Sequence, residues 1–277
     1  MDVVTIVIAA IVGVAIGILS GMLGIGGGTV MVPVFKLGFG MSAIGATATS
    51  LFAIIPTAIS GSITHVKQKT CIPKLGILAG VGGACFSPVG VWLASLSPGW
   101  LIMLAAAIVI GYSSFTMFKK AMKLPKRNGK AASEGEPQTA VASAHPVEEL
   151  PEIDSRKMWL GLPIGMVAGL IAGYVGVGGG FLMVPLFLSV LGVDMKRASG
   201  SSLLAIAILS TPGAITQIAF GNVAIAIAIA AVVGSVPGAV LGARLAKRIP
   251  ERELRFLFGG VLLFAAVMLV LQEIGLF

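Results

Sequence analysis

Six stretches of the chain, 3–35, 43–64, 75–118, 158–192, 198–243 and 256–272, contain no Asp, Glu, Lys or Arg. Lipid accepts such runs only as structures that satisfy every backbone N–H and C=O internally, and about 20 apolar residues carry one helix across the hydrocarbon core. The composition agrees. Hydrophobic residues make up 57% of the chain and charged residues 11%, against about 25% charged in soluble domains, and the mean hydropathy is +1.03. The expectation is an all-α polytopic protein, multi-pass in the cell (inner) membrane, with the lipid bilayer as its solvent.

The net charge of +8 does not point to nucleic acid. The basic residues lie in short loops beside apolar spans, as the positive-inside rule describes, and they do not interleave with aromatics as on a nucleic-acid platform. Cys71 and Cys85 do not suggest a disulfide framework and read as ordinary free thiols. The start, Met1-Asp2-Val3, lacks the basic n-region of a cleavable signal, so the first span is expected to stay in the mature protein.

Gly24-Ile25-Gly26-Gly27-Gly28-Thr29-Val30-Met31-Val32-Pro33 recurs 152 residues later as Gly176-Val177-Gly178-Gly179-Gly180-Phe181-Leu182-Met183-Val184-Pro185. Each copy interrupts an apolar run. At the same offset Gly17 matches Gly169, Gly21 matches Gly173, Thr49-Ser50-Leu51 matches Ser201-Ser202-Leu203, Gly61 matches Gly213, and Thr64 matches Thr216. The chain is an internal duplication: an N-terminal transmembrane repeat over 1–120, a linker over 121–156 and a C-terminal transmembrane repeat over 157–277.

Six full crossings are expected, at about 43–64, 75–95, 100–118, 199–219, 223–243 and 256–274. Two further elements, 3–23 with 29–37 and 158–175 with 181–191, are broken or re-entrant at the glycines. Equivalent loops carry opposite charge bias. Residues 65–74 hold Lys67, Lys69 and Lys74 while 217–226 hold none; the turn 95–100 is uncharged while 247–252 is strongly basic. Equivalent loops therefore face opposite sides, which makes the halves an inverted-topology repeat, each with a broken glycine element and three spans. The central loop, 66–74, 193–197 and 244–255 fall in the cytoplasm, with Lys36 the one basic residue outside. The linker opens with lysines and closes with acids and reads as a flexible charged tether.

Broken helices at matching points of two halves point to a transporter binding site. A break at Gly26, Gly27 and Gly28, or at Gly178, Gly179 and Gly180, starts a short helix whose first N–H groups lack partners. With the helix dipole they form an anion site, to which Thr29 is adjacent. The bland alternative is close helix packing through small residues. Thr49, Ser50, Ser201 and Ser202 can donate to anion oxygens without burying a charge; the alternative is back-bonding to helix carbonyls. His65 and Gln217 form a further matched pair, and His65 could shuttle a proton or be a solvated interfacial residue. No acid lies within a span, no cluster has metal-ligand spacing, and no catalytic constellation or phosphate loop is visible. The expectation is no enzyme, no cofactor and an anionic substrate.

The paired Gly-x-Gly-Gly-Gly-x-x-x-Val-Pro motifs at 24–33 and 176–185, the Thr49-Ser50 and Ser201-Ser202 segments and the four-plus-four layout resemble the sulfite exporter TauE/SafE family of membrane permeases. The resemblance implies transport of small organosulfur or oxyanion species, such as sulfite or sulfonates, and a possible homo-oligomer. Alternatives are an anion channel of the same architecture or an uptake permease for a sulfur-containing anion.

Overall fold

The computed structural model describes residues 3–124 and 158–273, with side chains placed over 6–124 and 158–271. Every element among them is helical: α1 (Val3–Leu23), α2 (Gly28–Gly38), α3 (Ala43–Lys67), α4 (Pro73–Ser95), α5 (Gly99–Met122), α6 (Gly161–Val175), α7 (Gly180–Val190), α8 (Met195–Ala219), α9 (Ile225–Ala246) and α10 (Glu251–Glu273). Seven of these, α1, α3, α4, α5, α8, α9 and α10, are long and apolar enough to cross a membrane. The six crossings expected from the sequence are all present. The seventh is α1, which reaches span length before the chain breaks at the glycines, whereas its counterpart α6 has 15 residues and follows a turn at Trp159 and Leu160. The linker expected over 121–156 lies, after the first few residues, outside the described residues.

The repeats start their long helices alike. Ser42 Oγ caps α3 by accepting from Gly45 N at 3.1 Å, and Asp194, 152 residues on, caps α8 by accepting from Arg197 N at 3.3 Å. Side-chain caps of this kind satisfy one of the first free N–H groups.

The repeats are interlocked rather than side by side. Gly13, Gly17 and Gly21 of α1 lie against the backbone of Ala231, Ser235 and Ala239 of α9, so these two helices run parallel. Their counterparts do the same: Gly165, Gly169 and Gly173 of α6 lie against Ala79, Gly83 and Ser87 of α4. Small residues one turn apart let two backbones touch, which matters in lipid because apolar side chains gain nothing there by leaving solvent. The helices α3 and α8, themselves counterparts, run in opposite senses: Gly61 meets Leu203 and Gly213 meets Leu51. The pair α5 and α10 is joined where Ser114 Oγ donates to Gly259 O at 2.8 Å.

Large apolar side chains cover the outside, among them Ile108 (63% exposed), Phe115 (58%), Ile215 (61%) and Val233 (65%). A soluble monomer does not present a continuous surface of that kind; the chain is a multi-pass membrane protein. Charged side chains gather at one end. There Lys196 Nζ donates to Lys247 O at 2.8 Å, Met195 N to Glu251 Oε1 at 3.1 Å, and Arg255 pairs with Glu251. Trp92, Trp100 and Trp159 are all exposed at helix ends, where amphipathic rings sit in a membrane interface.

Candidate functional site

The last hydrogen bond of α1 runs from Gly24 N to Ser20 O, and that of α6 from Gly176 N to Ala172 O. Gly24 and Gly176 then take φ +77° and +74°, and a Cβ on either would collide with the opposite repeat, at Ser199 or at Thr47. Only glycine meets both demands. Gly27 (φ +85°) and Gly179 (φ +67°) are the N-cap residues of α2 and α7, and neither helix start has a side-chain cap.

The duplicated hydroxyls tie these breaks across the repeats. Ser50 Oγ donates to Gly176 O at 2.6 Å, and Ser202 Oγ to Gly24 O at 2.7 Å. Thr49 Oγ1 accepts from Ala224 N at 3.0 Å, and Ser201 Oγ from Ile72 N at 2.9 Å. Ala224 and Ile72 are the N-cap residues of α9 and α4. Two readings were open for these four residues, anion donor or back-bonding, and the structure puts a third use first: they splice one repeat to the other. Back-bonding accompanies it at Ser202, whose Oγ also lies 2.9 Å from Ser199 O, and is present at Thr64 and Thr216, which donate to Ser60 O and Pro212 O.

The two helix starts meet halfway along α3 and α8. A Cβ on Gly28 would stand 2.5 Å from Val177 O, and one on Gly180 2.5 Å from Gly24 O. The fully buried Ile54 and Ile206 sit midway along their 25-residue helices and fill the space against Gly26, Gly28, Gly178 and Gly180. Two uncapped N-termini thus approach one another at mid-depth, in surroundings without a formal charge over 16–32, 43–64, 164–187 and 198–217. The N–H groups of a first helical turn and the dipole behind them favour an anion, most strongly where water is excluded. Pro33 and Pro185, inside α2 and α7, have no N–H to give the carbonyls of Thr29 and Phe181.

His65 and Gln217 are not at this centre. They end α3 and α8, about 16 Å from Ile54 and Ile206 along the helix axis at 1.5 Å per residue. His65 Nε2 lies 2.8 Å from Gly21 O and Nδ1 2.8 Å from Thr70 Oγ1. A carbonyl only accepts, so Nε2 carries the proton, and Nδ1 is engaged by Thr70 Oγ1, which also donates to His65 O at 3.2 Å. Gln217 Oε1 accepts from Asn222 Nδ2 at 2.9 Å, the counterpart pair. Cys71, in the connection between α3 and α4, has its thiol pushed up to about 11 by burial, partly offset by a hydrogen bond with Ser201.

Three central residues were not singled out from the sequence. Ile54 and Ile206 are duplicated, but as apolar positions in apolar helices they carry no polar signal. Ser20 is a buried hydroxyl beside Gly27, and because Ala172 stands at its counterpart, a search for repeated polar residues passes over it.

A family described as sulfite exporter TauE/SafE matches residues 9–269. The probable membrane transporter protein YunE of Bacillus subtilis (strain 168) is 28% identical over 224 residues, which cover 78% of this chain and 80% of that protein. A probable membrane transporter protein of Methanocaldococcus jannaschii is 25% identical over 213 residues, 75% of this chain and 70% of its own length. No solved structure gives a significant match.

Proposed function

The chain belongs to the sulfite exporter TauE/SafE family, a family of membrane transporters, and on that premise we propose that it is a secondary transporter, working as an exporter, of small organosulfur anions or oxyanions such as sulfonates or sulfite. The observation that carries the reading is the meeting of two uncapped half-helix starts at mid-depth, between stretches that carry no charged residue. The anion is held by the N–H groups of Gly28, Thr29 and Phe181, since the other first-turn amides turn back to the Gly27, Gly178 and Gly179 carbonyls. Ser50 and Ser202 hold the breaks in that geometry through their cross-repeat bonds, while Thr49 and Ser201 fasten the starts of α9 and α4.

The repeats are oppositely oriented in this reading. Support comes from the antiparallel course of α3 and α8. It comes also from the course of α1 and α2: Gly21 is level with His65 at the end of α3, Gly28 is level with Ile54 at its middle, and α2 leads back to the start of α3, so the two helices together begin and end toward one side. The end that gathers the charges is cytoplasmic by the positive-inside rule.

Access alternates between the two faces, and the moving parts are not the sequence repeats. Because α9 is zipped to α1 and α4 to α6, each body takes one helix from the other half: α1, α2, α3 and α9 against α6, α7, α8 and α4. Their seam is α3 on α8, where Ile54 and Ile206 close the centre. Export follows from energetics. One charge crossing the membrane potential is worth about 2.3 kcal/mol per 100 mV. An anion leaving a cell held at roughly 150 mV, inside negative, gains about 3.5 kcal/mol, near a 300-fold gradient.

Flux of sulfonates and sulfite in proteoliposomes under an imposed potential tests this. The expected result is efflux that saturates, is stimulated by anion on the far side and rises with the potential. Efflux indifferent to potential rejects the electrogenic form, and efflux without trans-stimulation makes the protein a channel.

A further inference from the structure

The two glycine breaks match in backbone and differ in side chain. Ser20 and Thr29 are fully buried, and neither hydroxyl has a hydrogen-bond partner. Ser20 borders the residue that caps α2: its Cβ and Oγ stand 3.5 and 3.6 Å from where a Cβ on Gly27 would be. Thr29 is the second residue of α2, in the first turn, where Val30 N and Met31 N turn back to Gly27 O and the N–H groups of Gly28 and Thr29 are left for a ligand. At the counterpart positions stand Ala172 and Phe181, also fully buried. The Cβ of Ala172 lies 3.3 Å from one built on Gly179, the place Ser20 takes beside Gly27. Ser87, Ser113 and Ser210 lack partners too, but none of them is among the nearest atoms to Gly26, Gly27 or Gly28, as Ser20 is. Buried hydroxyls in folded proteins are nearly always paired. Two orphans beside one uncapped helix start are donors waiting for an acceptor that arrives from outside.

We infer that the anion site is one-sided. This rests on the proposed function and deepens it. The break of the first repeat takes the charged head, through the free N–H groups of α2 and the hydroxyls of Ser20 and Thr29. The break of the second repeat, with Ala172 and Phe181, takes hydrocarbon. The ligand class that fits is a small monoanion with an apolar tail of a few carbons, sulfonate or carboxylate. A compact inorganic oxyanion fits less well, because it needs donors on every face and finds them only on one.

The test uses purified full-length protein and four probes, propanesulfonate, propionate, sulfite and phosphate, read by thermal shift, since a bound ligand raises the melting point by mass action. The expected result is half-maximal stabilisation by propanesulfonate at a concentration at least tenfold below that of sulfite. S20A with T29V should weaken propanesulfonate at least tenfold. Its fold should survive, because neither hydroxyl has a bond to lose, and S20T or T29S should restore binding. A172S with F181T should narrow the preference for propanesulfonate over sulfite at least threefold. Sulfite binding as well as propanesulfonate, or S20A with T29V binding like wild type, overturns the one-sided site and leaves the anion site standing. Failure of all four probes to stabilise the wild type overturns both.

Discussion

The chain leaving α1 at Gly24 and the chain leaving α6 at Gly176 follow one path with two sets of side chains. What the breaks share is backbone and its fastenings: left-handed glycines, a serine from the other repeat on each carbonyl, an isoleucine from α3 or α8 against each helix start. What differs is polarity, Ser20 and Thr29 against Ala172 and Phe181, and, at the far ends of α3 and α8, His65 with Thr70 against Gln217 with Asn222. The shared features are those a repeat needs to stand at all and to present helix starts to the centre. The unshared ones tell the halves apart, and a ligand bound between them meets two chemistries.

The largest effect should come from the shared set, and it should be equal in the two halves. G24A and G176A each force an L-residue into a left-handed conformation and drive a Cβ into the facing helix. Each should destabilise on the order of 4 kcal/mol, seen as loss of monodisperse protein on gel filtration after mild heating. Gly40 and Gly192, another counterpart pair, have φ +62° and +67° with nothing within 4 Å. G40A and G192A should cost only about 1–2 kcal/mol, the conformational part alone. If G24A and G176A behaved like these controls, the close approach would not be what fixes the breaks.

His65 offers the next largest effect. H65A leaves the buried Gly21 carbonyl without its donor, a loss of about 1–3 kcal/mol. H65Q, which copies the counterpart residue Gln217, can still present an N–H and should lose less than about 1 kcal/mol. Because both ring nitrogens are engaged by groups of the fold, flux should be flat between pH 6 and 8 in wild type and in H65Q alike. A slope present in wild type and absent in H65Q would make His65 a proton carrier.

Smaller still are the serine ties. S50A and S202A each remove one buried bond to a carbonyl across the repeats; S202A also loses the local bond to Ser199 O, and that carbonyl returns to its helix. The cross-repeat bond is worth about 0.6 and at most about 1.7 kcal/mol in membrane proteins. For a chain of this size that is a fall of about 2–4 °C per kcal/mol in melting temperature, matched in the two variants. Unequal losses would mean the fastenings are not equivalent.

Much of this was legible because the bilayer and the duplication leave few choices. The long helices follow from charge-free runs, the breaks from glycines that recur at one offset, and the pairing of Ser50 with Ser202 from the same offset. The sequence could not say where a duplicated hydroxyl points. Thr49 and Ser201 face cap amides across the repeats rather than the centre, a relation between residues 175 and 129 positions apart that local pattern does not encode. The zipping of α1 to α9 is written in glycines at four-residue spacing, but spacing does not name the partner. Ser20 was hidden by the method that found its neighbours, since repetition was the signal and Ser20 is unrepeated.

The mildest test leaves both breaks intact and asks only which face each half presents. Cys71 lies in the loop after α3, and its counterpart after α8 is Val223. Oppositely oriented halves put these two positions on opposite faces of the membrane. In a C85S background, Cys71 should be alkylated by a membrane-impermeant reagent only from the cytoplasmic face. C71S/C85S/V223C should be alkylated only from the outer face. Cys71 will react slowly. With the thiol at about 11 rather than 9.0, it holds about 100-fold less thiolate at pH 8, and its rate should climb about tenfold per pH unit up to that value. S201A removes a bond that favours the thiolate and should slow it further. Labelling of both cysteines from one face would mean that the halves point the same way. The two helix starts would then run parallel rather than confront each other, and the centre described above would have only one anion-binding end.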